Sequence, residues 1–181
     1  MKKKLRRKFL AIAVFLVAFN LLAIPMYLVL WYNLSCLPLQ TFLTELVYRT
    51  LNLLGYKVEL IASQIDVVPM ISMSDQSPLI LISWDSTGWK TLYALAALTI
   101  ATPFVKMKKK LKFLAIGLPF LFALNFARIL TTILIAINYG FQYFDVVHTL
   151  LWREGMILAV VLIWYIWLRG IKFKDKKQSI F

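Results

Sequence analysis

Cysteine, histidine and acidic residues are scarce in this chain. The scarcity of the first two argues against disulfides and metal sites, and that of the third leaves the chain strongly basic. A single cysteine, Cys36, cannot form an intrachain disulfide. A single histidine, His148, with no cluster of other ligands around it, argues against a metal site, and we expect neither a metal nor a cofactor. The chain has only 8 acidic residues but 21 lysines and arginines, so its formal net charge is +13. The positions of the positive charges along the sequence indicate which function this excess serves.

The basic residues lie in three short clusters, at residues 1–8, 106–112 and 169–177, which together hold 16 of the 21. Each cluster flanks an apolar run, which is the pattern of cytoplasmic segments in membrane proteins. A basic balance can also indicate a nucleic-acid partner, but charges confined to the ends of apolar runs speak against one. We therefore predict that all three clusters, and both termini, are cytoplasmic.

Long apolar runs dominate the rest of the sequence. The chain is 61% hydrophobic, above the roughly half that is typical of soluble domains. Four runs, residues 9–32, 86–105, 113–137 and 148–168, are long enough to be membrane spans. The first is longer than the apolar core of a signal peptide and is read as a retained anchor. The sequence predicts an all-α polytopic protein of the cell membrane, with about four spans in a single membrane domain over residues 1–181.

Residues 36–84 differ in character and are predicted to form an extracytoplasmic cap. Apolar residues between positions 38 and 54 recur at helical spacing, and Gly55 follows as a C-terminal cap. This helix either lies amphipathically on the outer membrane surface or packs inside the cap. Residues 56–84 contain short β-rich runs broken by turn residues, which predict a small β-hairpin.

Three polar residues from three predicted spans fall at one depth. With a rise of about 1.5 Å per residue, Ser86, Arg128 and His148 lie roughly 24–32 Å above the basic clusters. The hydrocarbon core is about 30 Å thick, so all three should lie near its outer boundary. Neighbouring helices pack about 8–10 Å apart, which allows the three side chains to meet.

Each of these residues also has a simpler interpretation. Ser86, with Asp85 and Thr87, could cap a helix, and His148 could face water. Arg128 could extend to the outer headgroups, although an arginine inside an apolar run usually faces a partner or a cavity. Asn125, three residues before Arg128, could orient its guanidinium.

At these positions the sequence resembles the exosortase/archaeosortase family of membrane transpeptidases. The family's Cys-Ser/Thr-Gly motif, which opens one of its spans, matches residues 85–90, DSTGWK, with Ser86 where the family has cysteine. The family's Asn-x-x-Arg motif matches Asn125 and Arg128, and its histidine matches His148. The resemblance covers about residues 55–168.

The resemblance implies a sortase-like reaction on secreted proteins that carry a C-terminal sorting signal. Residue 86 would be the nucleophile, His148 the general base and acid, and Arg128 the oxyanion stabiliser. Supporting roles would fall to residues beside these three: Asp85, Thr87, Gly88, Asn125 and Asp145. The partners would be sorting-signal peptides, the bilayer and an amine acceptor, with a lipid headgroup as one candidate.

Serine at position 86 departs from the family pattern, because a hydroxyl needs stronger activation than a thiol. We interpret this form as an inactive Cys→Ser variant; a native serine enzyme or a degenerate homologue is the alternative. The rival functions are a non-catalytic scaffold that binds transmembrane tails, an intramembrane serine protease, and a small channel or transporter.

Overall fold

Helices make up most of the described chain. The computed structural model describes residues 2–61, 70–73, 79–140, 142 and 154–178. The elements, in chain order, are α1 (Lys2–Trp31), α2 (Leu37–Leu53), β1 (Val58–Ile61), β2 (Met70–Met73), a 3₁₀ turn (Trp84–Thr87), α3 (Trp89–Ala101), α4 (Met107–Tyr139) and α5 (Met156–Gln178). The prediction of a mainly helical protein with a small β element is confirmed.

Two of the described helices are long and apolar enough to cross a membrane. They are Lys8–Trp31, within α1, and Met107–Tyr139, which is α4. These correspond to the predicted spans 9–32 and 113–137. The apolar helices Trp89–Ala101 and Met156–Ile171 are shorter. The first six residues of the predicted span 148–168 lie outside the described part of the chain.

The predicted span 86–105 is not helical throughout, which corrects the sequence analysis. It begins with the 3₁₀ turn, and α3 has only 13 residues, or about 20 Å of helix. Pro103 disfavours the helical conformation at the preceding Thr102, and Phe104 adopts a left-handed φ of 62°. The apolar run therefore continues past the point where the helix has ended.

The elements divide into two compact units, and residues 1–32, 90–123 and 153–181 form the first. Its core contains Leu95 of α3, Leu121 of α4, and Met156 and Val160 of α5. The side chain of Lys110 is buried and donates a hydrogen bond to the Ile100 carbonyl at the end of α3. A cation is favourable there because the last carbonyls of a helix lack partners within it.

Residues 33–89 and 124–152 form the second unit, in which α2 packs against the hairpin. The buried face of α2 includes Val47 and Leu51, which share a core with Val58, Ile71 and Ile133. The helical period was predicted correctly, and the apolar stripe of α2 packs against the hairpin and α4. That the exposed face of α2, with Phe42 and Leu53, lies on the outer membrane surface stays a prediction.

The chain runs from the end of α2 through the hairpin to the 3₁₀ turn, and backbone hydrogen bonds hold each step. Gly55, at φ 88°, ends α2 as predicted, with Tyr56 N–H donating to the Leu51 carbonyl at 3.0 Å. Strands β1 and β2 pair antiparallel, with Leu60 opposite Ile71. Ile71 also exchanges two hydrogen bonds, of 3.0 and 2.9 Å, with Ile80. This bridge brings the chain from the sheet to the 3₁₀ turn.

Candidate functional site

Ser86 lies in the 3₁₀ turn that directly precedes α3. The turn is capped by Ser83, whose Oγ accepts a hydrogen bond from Ser86 N–H at 3.3 Å. Within the turn, Thr87 Oγ1 donates to the Trp84 carbonyl at 2.7 Å, and Thr87 is fully buried. Ser83 is therefore the cap of the 3₁₀ turn, and a capping role of Ser86 at the start of α3 stays a prediction. Asp85 lies in the same turn with an exposed side chain.

Gly88 joins the turn to α3 in a conformation that only glycine adopts easily. Its φ and ψ are 78° and 10°, in the left-handed region. A Cβ atom built on it would lie 2.6–2.9 Å from the side-chain atoms of Asn125, which leaves no room for a larger residue. The indole rings of Trp84 and Trp89 stack at 5.3 Å across the same turn.

Asn125, on α4, holds the turn through its carbonyl groups. It is 2% exposed, and its Nδ2 donates to the Ser86 carbonyl at 3.2 Å and to the Thr87 carbonyl at 2.9 Å. A buried carbonyl without a donor is costly, so these bonds fix the position of the turn relative to α4. The expected role of Asn125 is modified accordingly, because its amide contacts the backbone of the turn.

Arg128 lies one turn further along α4 and converges on the same carbonyl. Its Nη2 donates to Ser86 O at 2.8 Å, and the residue is only 7% exposed. The alternative in which Arg128 extends to the headgroups is therefore wrong. Its Nε and Nη1 are buried and have no hydrogen-bond partner among the described residues. Thr132 Oγ1 donates to the Arg128 carbonyl at 2.9 Å, one turn further on.

An open pocket of about 340 Å³ adjoins Ser86 and Arg128. Its wall comes from the segment before the 3₁₀ turn, from the turn itself and from one face of α4. The lining residues are Ile80, Leu81, Ile82, Ser86, Arg128, Ile129, Thr132 and Ile133. The pocket is therefore largely apolar, with one hydroxyl and one guanidinium in its wall.

The Ser86 hydroxyl lies 2.9 Å from the Ser83 hydroxyl. A neighbouring hydroxyl orients Ser86 but cannot serve as a general base near neutral pH. The predicted base His148 and its predicted partner Asp145 lie outside the described residues. Of the predicted catalytic trio, the structure thus brings Ser86 and Arg128 into contact, and the role of His148 stays a prediction.

Two residues of the site were missed in the sequence analysis, although each carries a recognisable signal. Ser83 lies three residues before Ser86, which is the spacing of a cap. Thr132 lies four residues after Arg128, on the same face of α4.

Comparison with known families adds to this geometry. The family model described as transmembrane exosortase matches residues 5–168, which is most of the chain. The chain belongs to the transmembrane exosortase family. No curated protein and no solved structure shows a significant match to it.

Membership in the exosortases has consequences at a coarse level. It supports a membrane location, in agreement with the two long apolar helices, and it implies a transpeptidase function related to protein sorting. The match includes α1, so the likeness extends beyond the segment that carries the motifs. Within this exosortase, the turn at Ser86 and the Asn125–Arg128 segment of α4 form one hydrogen-bonded assembly.

Proposed function

We propose that this exosortase acts as a sortase-like transpeptidase on secreted proteins with a C-terminal sorting signal. It would cleave the signal at the outer membrane boundary and transfer the protein to an amine, with a lipid headgroup as the favoured acceptor. One observation carries the proposal: a buried arginine, with two nitrogen atoms unpaired among the described residues, adjoins Ser86 in the wall of a pocket.

The chemistry follows from the side chain at position 86. As a thiolate, it attacks the scissile carbonyl carbon, and a C–S bond forms as the carbonyl becomes an oxyanion. Arg128 stabilises that oxyanion, and removing one such donor typically costs about 3–4 kcal/mol of barrier. The C–N bond then breaks, and the amine leaves with a proton that His148 took from the thiol.

The second half of the reaction reverses these steps with a new amine. His148 accepts a proton from the acceptor amine as that amine attacks the thioester carbonyl. A C–N bond forms, the C–S bond breaks, and the proton returns to the sulfur. The tail peptide and the acceptor exchange places, and no oxidant or reductant is needed.

The serine form is proposed to be an inactive Cys→Ser variant. A free thiol has a pKa of about 8.5, so some thiolate exists at neutral pH, whereas a hydroxyl requires a base. The described side chain that hydrogen-bonds the Ser86 hydroxyl is the hydroxyl of Ser83, which supplies no such activation. Whether the gene encodes serine or cysteine here does not alter the prediction for the serine protein.

The proposed topology has four spans with both termini in the cytoplasm. The three basic clusters support it, and so do the two long apolar helices α1 and α4, each of which has a basic cluster at its amino end. In this arrangement the substrate's own hydrophobic helix lies beside the enzyme's spans, with its scissile bond at the depth of Ser86.

A cleavage assay in cells tests the function. The enzyme is co-expressed with secreted reporters that end in eight randomised residues, a hydrophobic helix and a basic terminus. We expect Ser86→Cys to release a subset of reporters from their tails, while the serine form and Ser86→Ala release none. Enriched tails identify the recognition segment.

The rival functions give different results in the same assay. Cleavage by the serine form that Ser86→Ala abolishes would indicate a serine protease. Absence of cleavage by every form, with tails that still co-purify with the enzyme, would indicate a scaffold and contradict the transpeptidase.

A further inference from the structure

Most of the wall of the pocket beside Ser86 is aliphatic, and it therefore favours an aliphatic group. Five of its lining residues are isoleucine or leucine, from residues 80–82 and from α4. The Thr132 hydroxyl donates its hydrogen to the Arg128 carbonyl, so that donor is already used. The volume of about 340 Å³ includes open solvent at the mouth, so the enclosed part of the pocket is much smaller. The enclosed part suits one small aliphatic side chain, and the open mouth leaves the adjoining peptide group outside it.

Arg128 adds a polar requirement to this apolar pocket. Its Nη2 is bound to the Ser86 carbonyl, which anchors the guanidinium in the pocket wall. Its Nε and Nη1 have no partner in the described part of the chain, and the residue is buried, with only 7% of its surface exposed. Buried donors are almost always paired in folded proteins. An occupant that brings an oxygen acceptor as well as an aliphatic group would pair these nitrogens.

We propose that this pocket holds one aliphatic side chain of the substrate, next to the scissile bond, while the adjoining peptide carbonyl accepts from Arg128. This rests on the transpeptidase function proposed above and names the substrate feature that the site selects. Ile82 and Ile133, which are 3% and 2% exposed, would determine the size of the accepted side chain.

Other occupants satisfy only part of the pocket. A lipid tail would match the isoleucines and leave the nitrogens of Arg128 without an acceptor. An acidic side chain would pair with Arg128 and place its charge against an aliphatic wall, which is unfavourable. A peptide residue with a branched aliphatic side chain provides both an apolar group and a carbonyl oxygen.

Photolabelling tests the proposal without any requirement for catalysis. The serine form, in lipid nanodiscs, is irradiated with the N-acetyl, N-methylamide derivative of photo-leucine, and adducts are located by mass spectrometry. We expect adducts within residues 80–82 and 129–133. Excess N-acetyl-leucine methylamide should reduce them at least fivefold, and the glycine derivative should not.

Variants of the pocket residues make the assignment specific. Ile133→Trp should reduce labelling at least tenfold, while the matched change Ile157→Trp, at an exposed position of α5, should leave it unchanged. Because Ile133 is a core residue, the milder Ile133→Ala serves as a second variant. In this variant, the phenylalanine derivative should compete with labelling at least threefold better, relative to the leucine derivative, than it does in the parent protein.

Several outcomes would overturn the proposal. One is labelling that is spread over exposed apolar helices and that Ile133→Trp does not reduce. Stronger competition by the glutamate derivative would identify an acidic occupant, and competition by octanol equal to that by the leucine derivative would identify a lipid tail. A specifically labelled pocket in an enzyme whose Ser86→Cys form cleaves no reporter would contradict the chemistry alone and leave the peptide-binding pocket supported.

Discussion

A Cβ atom on Gly88 would lie 2.6 Å from Cγ of Asn125, well inside van der Waals contact. The two residues come from different elements, the link before α3 and the middle of α4. The absence of a side chain at Gly88 thus lets the Asn125 amide approach the carbonyls of Ser86 and Thr87. The position of the proposed nucleophile depends on this close approach.

Gly88→Ala should destabilise the protein more than Gly55→Ala. Both glycines have positive φ, of 78° and 88°, so each alanine incurs a left-handed cost of about 1–2 kcal/mol. A Cβ at Gly55 meets nothing within 4 Å, whereas one at Gly88 collides with Asn125 and adds about 1–3 kcal/mol. Thermal unfolding of both variants in one detergent measures the difference. Equal losses would show that Asn125 does not crowd Gly88.

Asn125→Ala should loosen the turn at Ser86. The change removes two hydrogen bonds and leaves buried carbonyls with fewer donors, at a cost of about 2–3 kcal/mol. Asn138→Ala is the control, because Asn138 lies on the same helix but is exposed, and we expect a loss below about 1 kcal/mol. Hydrogen exchange over residues 84–88 should accelerate in the first variant and stay unchanged in the second. Unchanged exchange in both would contradict the role of Asn125.

Arg128→Lys in the Ser86→Cys background should reduce kcat by about 100- to 1,000-fold, the usual effect of losing an oxyanion donor. Lysine keeps the positive charge but cannot reproduce the planar set of donors that contacts both Ser86 and the pocket. Arg49→Lys is the matched control, because Arg49 is exposed and bonds only Glu45 on its own helix among the contacts described. It should change kcat by less than about threefold. Similar rates for Arg128→Lys and its parent would exclude Arg128 from the reaction.

Cys36 provides a direct test of the proposed membrane orientation. It is the only cysteine in the sequence, and its side chain is exposed in the structure. A membrane-impermeant maleimide should label it in intact cells, because the cap is predicted to be extracytoplasmic. In a Cys36→Ser background, Lys108→Cys, in the second basic cluster, should be labelled only after permeabilisation. Reversed accessibility of the two positions would overturn the topology.

The sequence predicted the elements whose signals are local. The apolar lengths of residues 9–32 and 113–137 identified the helices that became α1 and α4, and the helical spacing before Gly55 identified α2. The alternation of β-rich runs with turn residues also identified the two-stranded sheet. Each of these features depends on composition and period within one segment of chain.

The start of α3 could not be predicted, because it depends on contacts between distant segments. The apolar run containing Ser86 was read as continuous helix, whereas the cap at Ser83 and the bonds from Asn125 hold its beginning as a 3₁₀ turn. The pocket likewise combines residues 80–82 with one face of α4. The contact between Ser86 and Arg128 was anticipated from their similar distances along the sequence to the basic clusters and from the family motifs.

Intact-mass measurement of the Ser86→Cys protein, mixed with a reporter tail selected in cells, tests the central claim most directly. We expect a mass increase equal to the reporter segment on the amino side of the cleavage site. Hydroxylamine should remove it, as expected for a thioester, and the serine form should show no such adduct. Cleavage of the reporter by the Ser86→Ala protein at the rate of the Ser86→Cys protein would contradict a nucleophile at position 86.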